Sequence, residues 1–215
     1  MSVQTADAKP SPAPAAGAVS PFVFPILAGL SLSHLLNDMV QSLLSSVYPL
    51  LRDELALSLT QIGLITFVFQ VTASLLQPVV GVMTDKRPQP YSLAFGMACS
   101  LAGLLLLSRA HTFWLVLAAA AVIGTGSSIF HPESSRIARA ASGGRFGFAQ
   151  SFFQVGGNTG QAIGPLLAAL IVVPNGQSSI AWFSLAALAA MAILTKVGRW
   201  YAARLREQRN SSRGF

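Results

Sequence analysis

The amino-acid sequence predicts an all-α membrane protein of six transmembrane helices. Of the 215 residues, 53% are apolar and only 10% are charged, against about 25% charged in an ordinary soluble domain. The apolar residues form six long runs, and most basic residues lie between these runs, at their ends or near the C-terminus. Because so few charges cannot cover a soluble surface, the lipid bilayer is expected to solvate most of the chain.

Each of the six runs is long enough to cross the hydrocarbon core, which takes about 20 apolar residues in a helix. Such runs predict helices, because a helix pairs its own backbone groups inside lipid. The predicted spans are Phe22–Leu51, Thr60–Met83, Tyr91–Ser108, Phe113–Ala138, Phe148–Val173 and Ile180–Tyr201. Residues 1–21, rich in Ala, Pro and Ser, are expected to be a disordered cytoplasmic tail, and residues 202–215 a basic one.

The distribution of Lys and Arg predicts the orientation of these spans. With the N-terminus inside, twelve basic residues fall in cytoplasmic segments and only Arg52 and Arg109 fall outside. Cytoplasmic loops carry the excess of Lys and Arg, so both termini are expected on the cytoplasmic side of a bacterial inner membrane. The basic residues form no single patch, so the net charge of +7 does not indicate nucleic acid as a partner.

A short internal repeat relates the two halves of the chain. The tripeptide Phe-Gln-Val at residues 69–71 recurs 84 residues later at 153–155, and Gln77 recurs as Gln161. This period covers three spans, and an odd number of spans reverses direction across the membrane. The repeat therefore predicts a 3+3 inverted arrangement, which is a known construction of secondary transporters.

Polar residues spaced three and four apart form a stripe on the first span: His34, Asn37, Asp38 and Gln41. An ionisable group near the middle of a span costs about 2.5–3.5 kcal/mol on insertion scales. This face should therefore meet water, protein or substrate, and Asp38 is the first candidate for proton binding, together with His34. Asn37 and Gln41 are expected to line a substrate cavity. The alternative is a buried polar cluster that joins helices.

The fifth span carries two patterns on opposite sides. One side has an amide stripe, interpreted either as cavity lining or as interhelical hydrogen bonds: Gln150, Gln154, Asn158 and Gln161. The other side has small residues at every fourth position, followed by a proline: Gly156, Gly160, Gly164 and Pro165. The glycines predict a ridge for close helix packing, and Pro165 predicts a kink.

The fourth span ends with His131, Glu133 and Arg136. Glu133 and Arg136 are three residues apart and can pair, whereas His131 lies about 200° round the helix from Glu133. His131 and Glu133 are further candidates for proton coupling, and Arg136 for contact with an anionic group of a substrate. Two histidines on different helices predict proton carriers or packing residues, so neither a metal site nor another cofactor is expected. The sequence also has no P-loop and no catalytic motif, so an enzyme is not expected.

Several runs, in order, resemble the fosmidomycin-resistance family of the major facilitator superfamily. From the N-terminus they are residues 37–38 (ND), 41–44 (QSLL), 77–78 (QP), 127–136 (SSIFHPESSR), 141–145 (ASGGR) and 150–158 (QSFFQVGGN). The resemblance covers nearly the whole chain after residue 21. It implies the N-terminal six-helix half of a twelve-helix fold with a central cavity and alternating access, often driven by protons.

The resemblance also implies a gating loop between the second and third spans, with Gly81, Asp85, Lys86 and Arg87 in its positions. Pro88–Pro90 replaces the usual glycine and further basic residues of that loop. The expected function is a half-size, dimeric transporter that exports a small organic solute or drug in exchange for protons. A second six-helix half must cover the polar faces, either as a second copy or as a separate chain. Proton-driven uptake of a metabolite, and a non-transporting membrane subunit or truncated remnant, remain open alternatives.

Overall fold

The structure, a computed structural model, describes residues 21–213, so all but the last residue of the predicted N-terminal tail lies outside the described residues. The described part is built of helices: α1 (Phe24–Ser46), α2 (Tyr48–Leu55), α3 (Leu59–Gln70), α4 (Leu76–Lys86), α5 (Ser92–Leu107), α6 (Phe113–Ala141), α7 (Phe146–Leu167), α8 (Val173–Asn175) and α9 (Ser184–Arg213). The π-helical turns Val71–Leu75 and Ala168–Val172 continue α3 into α4 and α7 into α8. A 3₁₀ turn, Gln177–Phe183, leads into α9.

Four continuous helices among residues 21–213 are long and apolar enough to cross a membrane: Leu59–Lys86, Phe113–Ala141, Phe146–Asn175 and Gln177–Ser211. Of the two remaining predicted spans, α5 is apolar but has only 16 residues, and α1 carries the polar stripe. Each predicted span overlaps at least one of these helices, so the all-α membrane fold is confirmed. The count of six spans and their inverted repeat stay predictions.

Two predicted boundaries differ from the structure. The first predicted span is two helices, because α1 ends at Ser46 and α2 starts with Tyr48 and Pro49. Proline has no backbone N–H, so it suits the first turn of a new helix better than the interior of an old one. The last helix continues past Tyr201 to Arg213, so the segment expected to be a basic tail is helical as far as it is described. Arg, Leu, Glu and Gln in that segment all favour helix.

The packing places α1 and α6 at the centre of the described bundle. α1 packs along α7 and also contacts α9 and α6, whereas α6 packs along α5 and contacts α3 and α4. The long helix Leu59–Lys86 lies at the edge, and only 11% of its most apolar stretch is buried. One side of the bundle is therefore open along this helix.

The close approach of α1 to α7 depends on the glycine ridge. A Cβ added at Gly156 would overlap the backbone carbonyl of Ser31, and one at Gly160 would overlap that of Leu35. A Cβ at Gly164 would meet the hydroxyl of Ser42. The ridge therefore lets the two backbones touch, and Pro165 follows it inside α7.

Candidate functional site

Asp38 of α1 is a buried carboxylate between two histidines from different helices. Its side chain is only 4% exposed. Oδ2 of Asp38 lies 3.3 Å from Nε2 of His34, one turn earlier on α1, and Oδ1 lies 3.4 Å from Nε2 of His131 on α6. A buried carboxylate needs such partners, because an unpaired charge is strongly disfavoured away from water.

Three amide groups also donate hydrogen bonds to the Asp38 carboxylate. Asn37 and Gln41 donate to Oδ1 over 3.0 and 3.1 Å, and Gln161 of α7 donates to Oδ2 over 3.1 Å. The carboxylate therefore collects side chains from α1, α6 and α7. We call Asp38, His34, His131, Asn37, Gln41 and Gln161 the Asp38 cluster.

Backbone carbonyls set the orientation of both histidines. Nδ1 of His34 lies 2.9 Å from the carbonyl oxygen of Phe153, and Nδ1 of His131 lies 3.0 Å from that of Ser127. A carbonyl oxygen only accepts, so in each ring Nδ1 carries the proton and donates it. In a neutral imidazole, Nε2 then has a lone pair, and both Nε2 atoms point at Asp38.

Packing explains why the His34 ring sits where it does. The ring stacks on Phe153, with centroids 4.0 Å apart and planes 15° from parallel. A Cβ added at Gly157 would overlap the imidazole, so glycine leaves the room that the ring occupies. Gly157 lies next to the predicted ridge, but its role depends on the rotation of α1, which no sequence spacing reveals.

Glu133 and Arg136 form a second cluster on α6, nearer the C-terminal end of this helix than His131. Nη2 of Arg136 lies 2.6 Å from Oε2 of Glu133, which also accepts a hydrogen bond from Ser92 of α5 over 3.0 Å. Nη1 of Arg136 donates to the backbone carbonyl of Thr84 and lies 3.4 Å from Oδ1 of Asp85 on α4. Glu133 is thus brought to Arg136 rather than to Asp38, as the angle between Glu133 and His131 on the helix indicated. Ser92 and Thr84 had no signal in the sequence.

A cavity of about 420 Å³ lies beside this second cluster. Its lining includes Gly81, Asp85, Arg136, Arg139 and Gln150. Residues predicted for the gating loop and for the substrate cavity thus share one pocket. Lys86 and Arg87, at the end of α4, are exposed beyond it.

The amide stripe of α7 is divided between several partners. Gln161 joins the Asp38 cluster, whereas Gln154 donates to Asn158 over 3.1 Å and both are exposed. Gln150 accepts a hydrogen bond from Ser135 over 3.0 Å. Gln154 and Asn158 therefore pair with each other on the surface of the described bundle.

The structure corrects one premise of the sequence interpretation, which expected no metal site because the histidines lie on different helices. Among the described residues, the ligand atoms of His34, Asp38 and His131 all lie within 4.8 Å of one another. Packing of α6 against α1 brings the two imidazoles to the same carboxylate. Ser127 was also missed as part of this arrangement, although it lies one turn before His131; its hydroxyl donates to Gln41 over 3.0 Å.

A helical membrane bundle with ionisable groups buried between its helices is the class of structure expected of a secondary transporter. Residues 30–214 match the profile of the Major Facilitator Superfamily. The chain belongs to this superfamily, whose members are transporters and not enzymes.

Three curated proteins illustrate what the chain is similar to. The fosmidomycin resistance protein of Escherichia coli (strain K12) is 58% identical over 91% of this chain and 49% of its own length. The uncharacterized MFS-type transporter YfnC of Bacillus subtilis (strain 168) is 46% identical over 85% of this chain and 45% of its own length. The multidrug resistance protein MdtG of Serratia proteamaculans (strain 568) is 30% identical over 61% of this chain and 31% of its own length. The chain thus spans about half the length of the first two relatives.

Proposed function

We propose that this chain supplies one six-helix half of a proton-coupled transporter that exports a small organic solute or drug across the bacterial inner membrane. The observation that carries this proposal is Asp38, a buried carboxylate held between His34 and His131. Ionisable residues inside membrane helices mark ion and proton paths, because they are too costly to keep without a function. Membership of the superfamily supports transport, and the name of the Escherichia coli relative supports export.

The two histidines differ in access, which suggests how a proton reaches the carboxylate. The His34 side chain is 1% exposed, whereas that of His131 is 29% exposed. We assign His131 as the entry point, from which a proton passes to Asp38, while His34 completes the buried end. Glu133 pairs with Arg136 and not with Asp38. We therefore assign Glu133 a role in proton coupling only through its contact with Arg136.

The substrate path in this proposal follows the polar side chains of α1 and α7 that lie around Asp38 and beyond it. Asn37, Gln41 and Gln161 surround Asp38, and Gln154 and Asn158 extend the amides along α7.

The cavity beside Arg136 and Arg139 suits an anionic group, because guanidinium groups bind oxyanions well. Asp85 links α4 to Arg136 on α6, and we propose that breaking this link opens the gate that Gly81, Lys86 and Arg87 adjoin.

A second six-helix unit is part of the proposal. Exposed amides such as Gln154 and Asn158 are disfavoured in lipid, so another unit must cover them. This unit is a continuation of the same polypeptide, a second copy or a separate chain. The coverage of about half of the longer relatives supports this requirement.

The packing also supports the 3+3 inverted repeat. The first helix of the first triplet, α1, packs on α7 and α9, which belong to the second triplet. The first helix of the second triplet, α6, packs on α3 with α4 and on α5, which belong to the first. An inverted repeat predicts this exchange. With six spans and cytoplasmic basic loops, both termini would lie in the cytoplasm.

Transport in inside-out membrane vesicles that contain the chain and its second half tests this function. Labelled fosmidomycin is the probe, because the name of the Escherichia coli relative points to it. We expect an imposed proton gradient to drive its accumulation, and Asp38→Asn to abolish this while the protein still inserts. Asp53→Asn, which changes an exposed carboxylate of α2, is the control. Full accumulation by Asp38→Asn would overturn the assignment.

The alternatives correspond to other results of the same assay. Accumulation in right-side-out vesicles under an inward proton gradient would indicate uptake by symport. Transport that does not change when the chain is deleted from the membrane would indicate a non-transporting subunit.

A further inference from the structure

We infer that His34, Asp38 and His131 form a binding site for one divalent transition-metal cation of the zinc class. Nε2 of each histidine and the carboxylate of Asp38 supply three ligand atoms within 4.8 Å of one another. Imidazole nitrogen and carboxylate oxygen are the donors that zinc takes in three-ligand sites. The inference rests on the geometry of this cluster and does not depend on proton coupling.

The hydrogen bonds of the two imidazoles are those of metal-binding histidines. In metal sites, a ligating histidine almost always donates its other ring N–H to a carboxylate, carbonyl or water, which fixes the tautomer. Nδ1 of His34 lies 2.9 Å from the carbonyl oxygen of Phe153, and Nδ1 of His131 lies 3.0 Å from the carbonyl oxygen of Ser127. Both Nε2 atoms are thereby left with lone pairs beside Asp38, that of His34 opposite Oδ2 and that of His131 opposite Oδ1.

A buried atom without a partner points to a ligand at this place. Nε2 of His34 is sealed from solvent, since the side chain is 1% exposed, and it has no hydrogen-bond partner. It lies 3.3 Å from Oδ2 of Asp38, and two acceptor atoms at this distance repel unless a cation lies between or beside them. Buried polar atoms are nearly always satisfied, so either a proton on Nε2 or a metal ion must lie between the two groups, and a metal ion is the occupant proposed here.

The two nitrogen-to-oxygen spacings fit zinc. Bonds of about 2.0–2.1 Å in a tetrahedral site place neighbouring ligand atoms roughly 3.3–3.4 Å apart. The nitrogen-to-oxygen distances to Asp38 are 3.3 Å from His34 and 3.4 Å from His131. Two nitrogen ligands select zinc or cobalt over magnesium and calcium, which prefer oxygen donors. A bound ion would join α1 to α6.

Metal titration of the purified full chain tests the inference. The protein carries an affinity tag without histidine, is kept in detergent and is stripped with a chelator. Co²⁺ is added as a spectroscopic probe and Zn²⁺ as its competitor. We expect a visible absorption band of tetrahedral Co²⁺ that Zn²⁺ removes at one ion per chain. His131→Gln should weaken Zn²⁺ binding at least about tenfold, the low end for damage to a metal site.

His111→Gln is the matched control, because His111 is exposed in the connection between α5 and α6. This variant should bind Zn²⁺ as the parent does. Zn²⁺ should also raise the Tm of the parent and of His111→Gln, and leave the Tm of His131→Gln unchanged. If His131→Gln does not fold, Asp38→Asn takes its place in both measurements.

Three results would overturn the site: no Co²⁺ band in the parent, equal Zn²⁺ affinity in His131→Gln, or displacement of Co²⁺ by Mg²⁺. The first of these would mean that the cluster binds protons only. It would leave the proposed transport intact, because the Asp38→Asn transport assay contains no added metal. Loss of transport function would likewise leave the binding measurement unaffected.

Discussion

Nε2 of His131 on α6 lies 3.4 Å from Oδ1 of Asp38 on α1. This contact joins the two central helices of the bundle through one ionisable side chain of each. It also connects the sealed carboxylate to the more exposed of the two histidines. The proposed proton coupling, the proposed metal site and the packing of α1 on α6 all involve this contact.

Removal of the His131 imidazole should separate coupling from substrate binding. We expect His131→Gln to lower gradient-driven solute accumulation by about 100-fold, the low end of what a positioned proton-transfer group contributes. Solute exchange without a gradient should continue, because the amides around Asp38 remain. Both rates are measured in the same vesicles, with His111→Gln as control. Equal loss of both rates would argue that His131 binds substrate or supports the fold.

A methyl group added at the glycine ridge should destabilise the bundle. Gly156→Ala places a Cβ against the carbonyl of Ser31, and overpacking of this kind costs about 1–3 kcal/mol. Gly147→Ala, on the same helix, meets no atom within 4 Å and should stabilise by about 0.5–1 kcal/mol because alanine favours helix. The measurement is the free energy of unfolding in mixed micelles. Equal values for the two variants would mean that the α1–α7 contact is looser than described.

Glu133 and Arg136 should stabilise the fold only when both side chains are present. Arg136→Gln leaves Glu133 buried at 1% exposure without its charged partner, which should cost about 3 kcal/mol because Arg136 itself is partly exposed. The double variant Glu133→Gln/Arg136→Gln should recover most of this loss, since neither charge remains. Unfolding of the single and double variants is compared with that of Lys86→Gln, which changes an exposed residue. A double variant as unstable as Arg136→Gln would show that hydrogen bonds, rather than charge, dominate.

The outward-facing amides of α7 should contact a second six-helix unit and not lipid. In a Cys99→Ser background, the variant Asn158→Cys should cross-link to a second six-helix unit when a short bismaleimide is added to membranes. A cysteine at Leu185, an exposed apolar position of α9, should not. The size of the product tells a second copy from a separate chain, whereas a unit that continues the same polypeptide gives an internal cross-link without a gain in mass. Absence of any product at Asn158, with labelling equal to that at Leu185, would argue against a covered face.

Helical spacing alone predicted the parts of the site that lie within one helix. His34, Asp38 and Gln41 share a face of α1 because they are three and four residues apart, and Glu133 pairs with Arg136 for the same reason. Period and side-chain direction are local properties of a helix, so no tertiary information is needed for them.

The sequence by itself determined the all-α membrane fold, the positions of the long apolar helices and the glycine ridge of α7. These follow from composition, run length and small-residue spacing, because lipid admits few backbone structures. Only the tertiary structure decided that His131 meets Asp38, that Gln161 reaches the same carboxylate and that Gly157 makes room for His34. Such contacts depend on the rotation and depth of one helix against another. Those are set by the sum of many packing contacts, and no single spacing in the sequence encodes them.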